Sequence, residues 1–250
     1  MLLNPAQMLA IAVELLLMIV LPIVLLTLWC RRTRVPWTAP LIAAGCYLLN
    51  LAVNVPLTVM VYPSLNLPPV LLLALTALTY GVCEELARWL SFRLGSLRRH
   101  RDGDGAISAG LGHGGAESVL FGLSYAAGTV AALFAPDALP QATRDALAGA
   151  SPWVFVGTGL DRLPALAGHL VFALLIVLAY RRGVKFLLIA IAAHAALDFS
   201  MFMLRDHAAL PVFIAAWAAA GLLCLVLARR LYGSLRRPAP EPAPPTPVAA

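Results

Sequence analysis

Charged side chains are scarce in this sequence. Asp, Glu, Lys and Arg make up only 12% of its 250 residues, against about 25% in soluble domains, whereas 61% of the residues are hydrophobic. This composition excludes a cytosolic enzyme and a nucleic-acid-binding protein, and it predicts a chain that lies in a membrane. The net charge of +6 does not change this interpretation, because basicity has to be judged by where the charges fall.

Cysteine is also scarce, and its four copies are not paired. Cys30, Cys46, Cys83 and Cys224 each stand alone inside an apolar run or at its end. This spacing excludes a disulfide framework and a thiolate metal site. We expect these residues to behave as small hydrophobic side chains.

Long apolar runs, by contrast, dominate the chain. Seven segments are long enough, or nearly so, to cross a ~30 Å hydrocarbon layer as helices, and the fifth of them begins after Pro164. They cover approximately residues 7–29, 37–61, 68–92, 110–135, 163–180, 184–204 and 209–228. We therefore predict an all-α fold, a polytopic helix bundle of about seven transmembrane helices in a bacterial inner membrane. The first segment lacks a positively charged leader and a cleavage site, so it is expected to remain as a span.

Basic residues separate the loops into two sets. Fourteen lie in alternate loops and in the chain's final segment, whereas the opposite loops hold only Arg144, Arg162 and Arg205. Because basic residues near span ends stay in the cytoplasm, the N-terminus is predicted to lie outside and the C-terminus in the cytoplasm. Residues 1–237 form one transmembrane domain in this interpretation, with an outer loop from Pro136 to Leu163 that has room for a short interfacial helix. Residues 238–250 are rich in Pro and Ala and are predicted to be a disordered cytoplasmic tail.

The third to sixth predicted spans contain ionisable residues, and an Asp or Arg costs roughly 2.5–3.5 kcal/mol at the centre of a span. Three pairs are spaced four residues apart and so share a helix face: Glu84 with Arg88, His113 with Glu117, and His194 with Asp198. At ~1.5 Å per residue, these groups lie at similar depths of roughly 10–17 Å. The sequence thus predicts one interior site on the third to sixth spans. Its candidate residues are Glu84, Glu85, Arg88, His113, Glu117, His169, His194 and Asp198.

These residue types favour hydrolysis by an activated water. A buried carboxylate can serve as general base, and a histidine can hold water or stabilise an oxyanion. Arg88 is within reach of Glu84 and of Glu85, and the spacing does not decide which carboxylate it holds. Asp198 is expected to fix the tautomer of His194. The glycines around His113, including Gly110 and Gly114, predict close helix packing there.

The segments that carry these residues resemble a known family. They read Cys83-Glu84-Glu85-Leu-Ala-Arg88-Trp89, Gly112-His113-Gly114-Gly115-Ala116-Glu117, an isolated His169, and His194-Ala-Ala-Leu-Asp198. The pattern resembles the YhfC family of intramembrane proteases, which is similar to the PrsW-type and CAAX-prenyl-endopeptidase-like glutamic intramembrane proteases. The CAAX type commonly has its Arg five residues after the first Glu and an Asn four after the last His. Here Arg88 comes at four and Asp198 replaces Asn, which favours the YhfC and PrsW side over a prenylated substrate.

The resemblance implies a peptidase that acts within the lipid bilayer on a membrane-embedded or membrane-adjacent polypeptide. It implies Glu84 as the base for water. It also implies His113 or Glu117, His169 and His194 as ligands of the water and the oxyanion. The main prediction is therefore a glutamic-type intramembrane endopeptidase without a cofactor, and no oligomeric state is assigned.

Two other functions stay open. A zinc-dependent hydrolase of the same architecture could use His113, Glu117, His169 and His194 as ligands with Glu84 or Glu85 as base, although the chain has no His-Glu-x-x-His motif. A proton- or cation-coupled transporter would also place such residues in a membrane, but no repeat relates the two halves of the chain.

A second polar group is predicted outside this site. Glu14 in the first span, with Asn50 and Asn54 in the second, is expected to form a structural hydrogen-bonded cluster in the outer half of the bundle.

Overall fold

The computed structural model of the chain describes residues 2–235, which form an all-helical bundle. Seven helices in this part of the chain are long and apolar enough to cross a membrane, so the prediction of a multi-pass membrane protein with seven spans is confirmed. The tail predicted for residues 238–250 lies outside the described residues. In chain order the seven helices and the short helix α5 are α1 (Pro5–Thr33), α2 (Thr38–Leu65), α3 (Pro69–Ser91), α4 (Gly103–Phe134), α5 (Gln141–Gly149), α6 (Pro152–Arg182), α7 (Lys185–His207) and α8 (Leu210–Leu235).

Helix α6 lies at the centre of the bundle. It packs against α1, α4, α7 and α8, and 67% of its most apolar stretch is buried, against 6% for α8. Helix α3 packs mainly against α7 and α2. The outer helices turn large apolar side chains such as Leu9, Leu49 and Leu222 away from the protein, as lipid-facing surfaces require.

A hydrogen bond links α4 to an irregular part of α1. A π-helical turn covers Leu16–Val20, and Pro22 follows it. Proline has no N–H to donate to the carbonyl one turn earlier, that of Met18. The hydroxyl of Ser118 on α4 donates to the Met18 carbonyl oxygen at 2.9 Å. A backbone group inside the bundle is thereby satisfied by a neighbouring helix.

Helix α4 begins earlier than the sequence predicted. It starts at Gly103 rather than near residue 110, because the Asp102 side chain caps it by accepting from the backbone N–H of Gly105 at 2.9 Å. Glycine has a low intrinsic helix propensity, which hides such a start in the sequence. His113 therefore lies about 15 Å inside α4 rather than at its opening.

Helix α6 also begins earlier, and this corrects the outer loop predicted from Pro136 to Leu163. Ser151 caps the helix and Pro152 occupies its first turn, so Pro164 lies inside the helix instead of starting it. Arg162, which was predicted to lie in that loop, belongs to α6. The remaining loop does contain a short helix, α5.

The part of α6 around Pro164 is supported by α8. A β-carbon at Gly221 would lie 2.9 Å from the Pro164 side chain, so the two helices touch there. Trp217 of α8 donates its indole N–H to the carbonyl oxygen of Asp161 at 3.2 Å. This carbonyl precedes Pro164 by three residues, in the turn that the proline ring disturbs.

Candidate active site

Helix α3 carries an ion pair at the centre of the site. Arg88 donates to Glu85, and neither side chain is exposed. The sequence left open which carboxylate Arg88 holds. In the structure it is Glu85, three residues away, and not Glu84. The close approach of α3 to α7 depends on Gly81, where a β-carbon would lie 2.8 Å from the carbonyl oxygen of Ile191.

Helix α7 contributes His194 to this ion pair. The Nδ1 atom of His194 lies 2.7 Å from Glu85 Oε1, and a carboxylate can only accept there, so Nδ1 carries the proton. The ring stacks on Phe172 of α6 with centroids 4.5 Å apart. Asp198 reaches only Nε2, at 3.6 Å. The prediction that Asp198 fixes the tautomer of His194 is therefore corrected, because Glu85 makes the short contact.

Helix α4 brings His113 to the other glutamate. His113 Nε2 lies 3.2 Å from Glu84 Oε2, and the ring is fully buried. Tyr47 of α2 packs edge-on against this ring with centroids 4.8 Å apart. This packing needs Gly112, since a β-carbon there would lie 2.3 Å from the carbonyl oxygen of Pro40 in α2.

His169 of α6 is held between a cation and a carboxylate. Its Nδ1 lies 2.8 Å from an Arg88 guanidinium nitrogen, and its Nε2 lies 2.9 Å from Glu117 Oε2. A guanidinium can only donate, so Nδ1 accepts and, in the neutral ring, Nε2 carries the proton toward Glu117. Glu117 in turn accepts from Arg162 at 3.2 Å.

The structure therefore brings all eight predicted site residues into one connected network. The contacts run from His113 to Glu84, and from Asp198 through His194, Glu85, Arg88 and His169 to Glu117. His194 Nε2 lies 3.9 Å from Glu84 Oε2, which joins the two halves. Most of these side chains are buried, while Glu117 and Asp198 keep partial exposure, with 16% and 24% of their side chains accessible.

One subset of the network can hold a metal ion. Glu84, His113 and His169 each offer one ligand atom, these atoms lie within 4.8 Å of one another, and all three residues are buried. Two imidazoles and a carboxylate form a donor set that zinc accepts in catalytic sites. Both nitrogens of His169 have partners here, Arg88 at Nδ1 and Glu117 at Nε2, so an ion held by His169 would take the place of one of these contacts. The grouping differs from the predicted zinc set, since it includes Glu84 and leaves out Glu117 and His194.

Sequence reasoning missed Arg162 as a site residue. Its guanidinium pairs with Glu117 and with the neighbouring Asp161, and it packs over the Phe121 ring at 4.9 Å. The signal that could have found it is the spacing of Arg162 and His169, which are seven residues apart and so share one helix face. The sequence prediction placed the start of this helix after Pro164, which left Arg162 in the loop and hid the spacing.

The second predicted polar cluster does not form as expected. Glu14, Asn50 and Asn54 are buried, but within residues 2–235 no hydrogen bond joins them. Both side-chain amide atoms of Asn50 and the Oδ1 atom of Asn54 have no hydrogen-bond partner in this part of the chain. Glu14 instead packs against α6, where a β-carbon at Gly159 would lie 2.9 Å from the Glu14 Cα atom.

Comparison with known proteins identifies a family and a distant relative. A family model described as "YhfC intramembrane metalloprotease" matches residues 17–218. The protein described as "Uncharacterized membrane protein YhfC" of Bacillus subtilis (strain 168) is 30% identical over 172 residues, which cover 61% of this chain and 66% of that protein. The match thus spans slightly less than two thirds of the relative's length. No solved structure matches the chain significantly.

The family match covers most of the chain, including every residue of the network described above. The chain belongs to the YhfC intramembrane metalloprotease family.

Proposed function

We propose that this protein is a metal-dependent intramembrane protease, with zinc as the ion that its ligands favour. The observation that carries the proposal is the buried group of Glu84, His113 and His169, whose ligand atoms lie within 4.8 Å of one another. The description of the family as metalloproteases supports it. The metal-free glutamic mechanism, which the sequence favoured, becomes the second choice.

In this proposal Glu84, His113 and His169 would hold the ion, each through one side-chain atom. When bound, zinc supplies a Lewis acid that polarises a peptide carbonyl and makes water more acidic. Arg88 positions the ring of His169 through its contact with Nδ1. Tyr47 fixes the ring plane of His113 from the side of α2.

Glu117 is the proposed general base. Its Oε2 atom faces Nε2 of His169, and Arg162 holds the carboxylate in place. It is more exposed than the three proposed ligands. Glu117 accepts the proton of the attacking water at a carboxylate oxygen and returns it to the leaving nitrogen.

His194 is the proposed partner of the substrate carbonyl. Donation from Nδ1 to Glu85 fixes the ring, and stacking on Phe172 holds its plane. Its Nε2 atom therefore points toward Glu84 and Asp198 at the edge of the ligand group. When Nε2 is protonated, it can stabilise negative charge on the carbonyl oxygen during attack.

The substrate class follows from where the site lies. The ligands come from the middle parts of membrane-spanning helices, so a polypeptide must enter the bundle from the bilayer or its surface. We propose a membrane-embedded or membrane-adjacent polypeptide as substrate. A coupled transporter is the less favoured function, because three buried ligands grouped as in a metallohydrolase and the family match both favour hydrolysis.

The test combines metal analysis with proteolysis in proteoliposomes. The purified protein is expected to hold about one zinc per chain and to cleave synthetic single-span peptides, with the products identified by mass spectrometry. Glu84→Gln, His113→Ala and His169→Ala should lose zinc and cleavage together. His207→Ala is the matched histidine control outside the site, and it should keep both.

Two results would contradict the proposal in different ways. Full cleavage by metal-stripped protein would restore the glutamic mechanism, with Glu84 as base. Stoichiometric zinc without cleavage of any peptide in a broad panel would remove the protease function and leave a metal-binding membrane protein.

A further inference from the structure

The charged residues in and around the candidate site differ in how far they are exposed. The side chains of Glu85 and Arg88 have no exposed surface, and those of His194 and Glu84 are 6% and 9% exposed. Four other charged side chains are more exposed. These accessible charged residues are Glu117 (16%), Arg162 (17%), Asp198 (24%) and Asp161 (30%).

The accessible charged residues lie toward the end of the bundle that carries α5. At the opposite end, α3 and α6 end and α4 and α7 begin. Counted from that opposite end at ~1.5 Å per residue, Glu84 lies about 10 Å inside the bundle and His194 about 14 Å. By the same measure Asp198 and Glu117 lie about 20 Å inside, and Arg162 about 30 Å. Exposure of the charged groups therefore increases toward the α5 end.

Glu117 and Asp198 border the same group of histidines. Glu117 Oε2 lies 2.9 Å from Nε2 of His169, and Asp198 Oδ2 lies 3.6 Å from Nε2 of His194. The rings of these two histidines are close neighbours, with centroids 6.0 Å apart. The two accessible carboxylates are thus parts of one site, although they belong to different helices.

Two half-buried aromatic rings lie between this site and the α5 end. Phe202 follows Asp198 by four residues, and Tyr80 precedes Glu84 by four, so each lies one helical turn closer to the α5 end. Their ring centroids are 6.5 Å apart, and both side chains are partly exposed. Phe202 therefore marks the α5 side of the site.

The opposite end of the site is closed. Arg101, in the loop between α3 and α4, donates two hydrogen bonds to the carbonyl oxygen of Phe92, at 3.0 Å and 2.9 Å, and packs over the Tyr180 ring at 3.9 Å. Tyr180 of α6 donates its hydroxyl to the carbonyl oxygen of Trp89 at 2.6 Å. The residues packed at this end have no exposed surface in the described part of the chain: Ser91, Phe92, Ile176 and Val177.

Partly exposed charges at this depth need water. Ionisable side chains within membrane spans almost always face the interior of the bundle or a water-filled cavity, because contact with lipid is costly. The accessible charged residues therefore indicate water on the α5 side of the site. Hydrolysis also consumes a water molecule, which has to reach the site by some route.

We propose that a water-filled opening toward the α5 end admits both water and substrate to the site, so that the substrates are polypeptides presented on the α5 side of the membrane. This inference rests on the proposed protease function and narrows its substrate class. In the predicted orientation the α5 side is the outer side. Polypeptides presented only on the cytoplasmic side are then not substrates.

The test measures access from each side of the membrane without relying on cleavage. In a chain whose four cysteines are replaced by alanine, single cysteines are introduced as Asp198→Cys and Phe202→Cys. A membrane-impermeant sulfonated maleimide is added to one side of sealed vesicles, and labelling is read as a mass shift. Ala146→Cys on α5 and Lys185→Cys at the opposite end, both at exposed positions, show which side the reagent reaches.

Asp198→Cys and Phe202→Cys should both react from the side that labels Ala146→Cys and not from the other side, because the maleimide reacts with a thiolate, which forms in water. Ile176→Cys, at the closed end, is the matched interior control and should react from neither side. Labelling of Phe202→Cys from the side of Lys185→Cys, or from neither side, would overturn the proposal.

Cleavage then tests whether the substrate uses the same opening. Unlabelled Phe202→Cys should cleave single-span peptides, and fully labelled Phe202→Cys should lose cleavage because the attached group obstructs the opening. Labelled Ala146→Cys should keep it. Full cleavage by labelled Phe202→Cys would refute the route for the substrate. The expected labelling pattern without any cleavage by the unlabelled proteins would instead contradict the protease function.

Discussion

Glu84 and Glu85 are adjacent in sequence but have different surroundings. Glu85 is enclosed by Arg88 and His194, whereas Glu84 faces His113 and the proposed ion. Helical geometry explains the difference, because neighbouring residues point about 100° apart. The two carboxylates therefore have separate tasks, one in holding the network together and the other in binding.

The first prediction concerns this ion pair. Arg88→Ala leaves Glu85 buried without its cation, and breaking a buried pair costs about 3–5 kcal/mol. We expect a large fall in the free energy of unfolding, measured in detergent or bicelles by reversible denaturation. Glu84→Gln, which keeps the pair, should unfold near the midpoint of the wild type when both are stripped of metal. Equal stability of the two variants would show that the pair does not hold the network.

The second prediction concerns Arg162, which acts on the site through Glu117. Arg162→Ala should free the Glu117 carboxylate and loosen His169, lowering zinc affinity by about 10- to 100-fold as losses of such outer contacts do. Competition with a chromophoric chelator measures this affinity. Arg162→Lys should restore part of it, and Arg144→Ala, at a surface ion pair with Asp137, should have no effect. Unchanged zinc affinity in Arg162→Ala would contradict the proposal that Arg162 acts on the site through Glu117.

At the scale of helices, α4 depends on glycine where it meets its neighbours. A β-carbon at Gly112 would lie 2.3 Å from the Pro40 carbonyl oxygen, and one at Gly114 would lie 2.5 Å from the His169 ring. At Gly128, on the same helix, no atom lies within 4 Å of such a carbon in the described part of the chain. The glycine run thus sets the spacing between α2, α4 and α6.

The third prediction uses this contrast. Gly112→Ala should move α4 from α2, with a loss of about 1–3 kcal/mol in folding free energy and weaker zinc binding. Gly128→Ala should be neutral or stabilise the fold by up to about 1 kcal/mol. Unfolding curves and metal content of the two variants provide the comparison. A harmless Gly112→Ala would show that the helices can separate without loss of the site.

The number and approximate position of the spans could be predicted because apolar length is a local property. The starts of α4 and α6 could not, because glycine at one start and Pro164 inside the other have unfavourable helix propensities that tertiary packing overrides. Similarly, the spacing identified the eight ionisable residues but left their partners open. The choice of Glu85 by Arg88 depends on the positions of α6 and α7, which sequence spacing does not specify.

At the scale of the whole molecule, the corrected start of α6 sharpens the charge asymmetry. The sequence contrasted fourteen basic residues on one side with three on the other. Because Arg162 lies well inside α6, the basic residues near span ends on that side are two, Arg144 in α5 and Arg205 in the last turn of α7. The orientation with the N-terminus outside therefore stays our prediction, on a stronger charge difference.

The fourth prediction tests this orientation. A green fluorescent protein fused after the last residue should fluoresce, and alkaline phosphatase fused there should be inactive, as expected for a cytoplasmic end. A fusion of the phosphatase in the α5 segment should be active. The reverse pattern would invert the bundle and place the Glu117 side of the site toward the cytoplasm.

Helix α8 supports α6 around Pro164 through the contacts of Trp217 and Gly221. Every residue of the candidate site precedes α8, so a chain truncated at Leu210 would retain all of them. It would nevertheless lose the contacts of α8 with the turn around Pro164, which lies between Arg162 and His169. The last helix contributes no reactive group, but it keeps the parts of α6 before and after Pro164 in alignment.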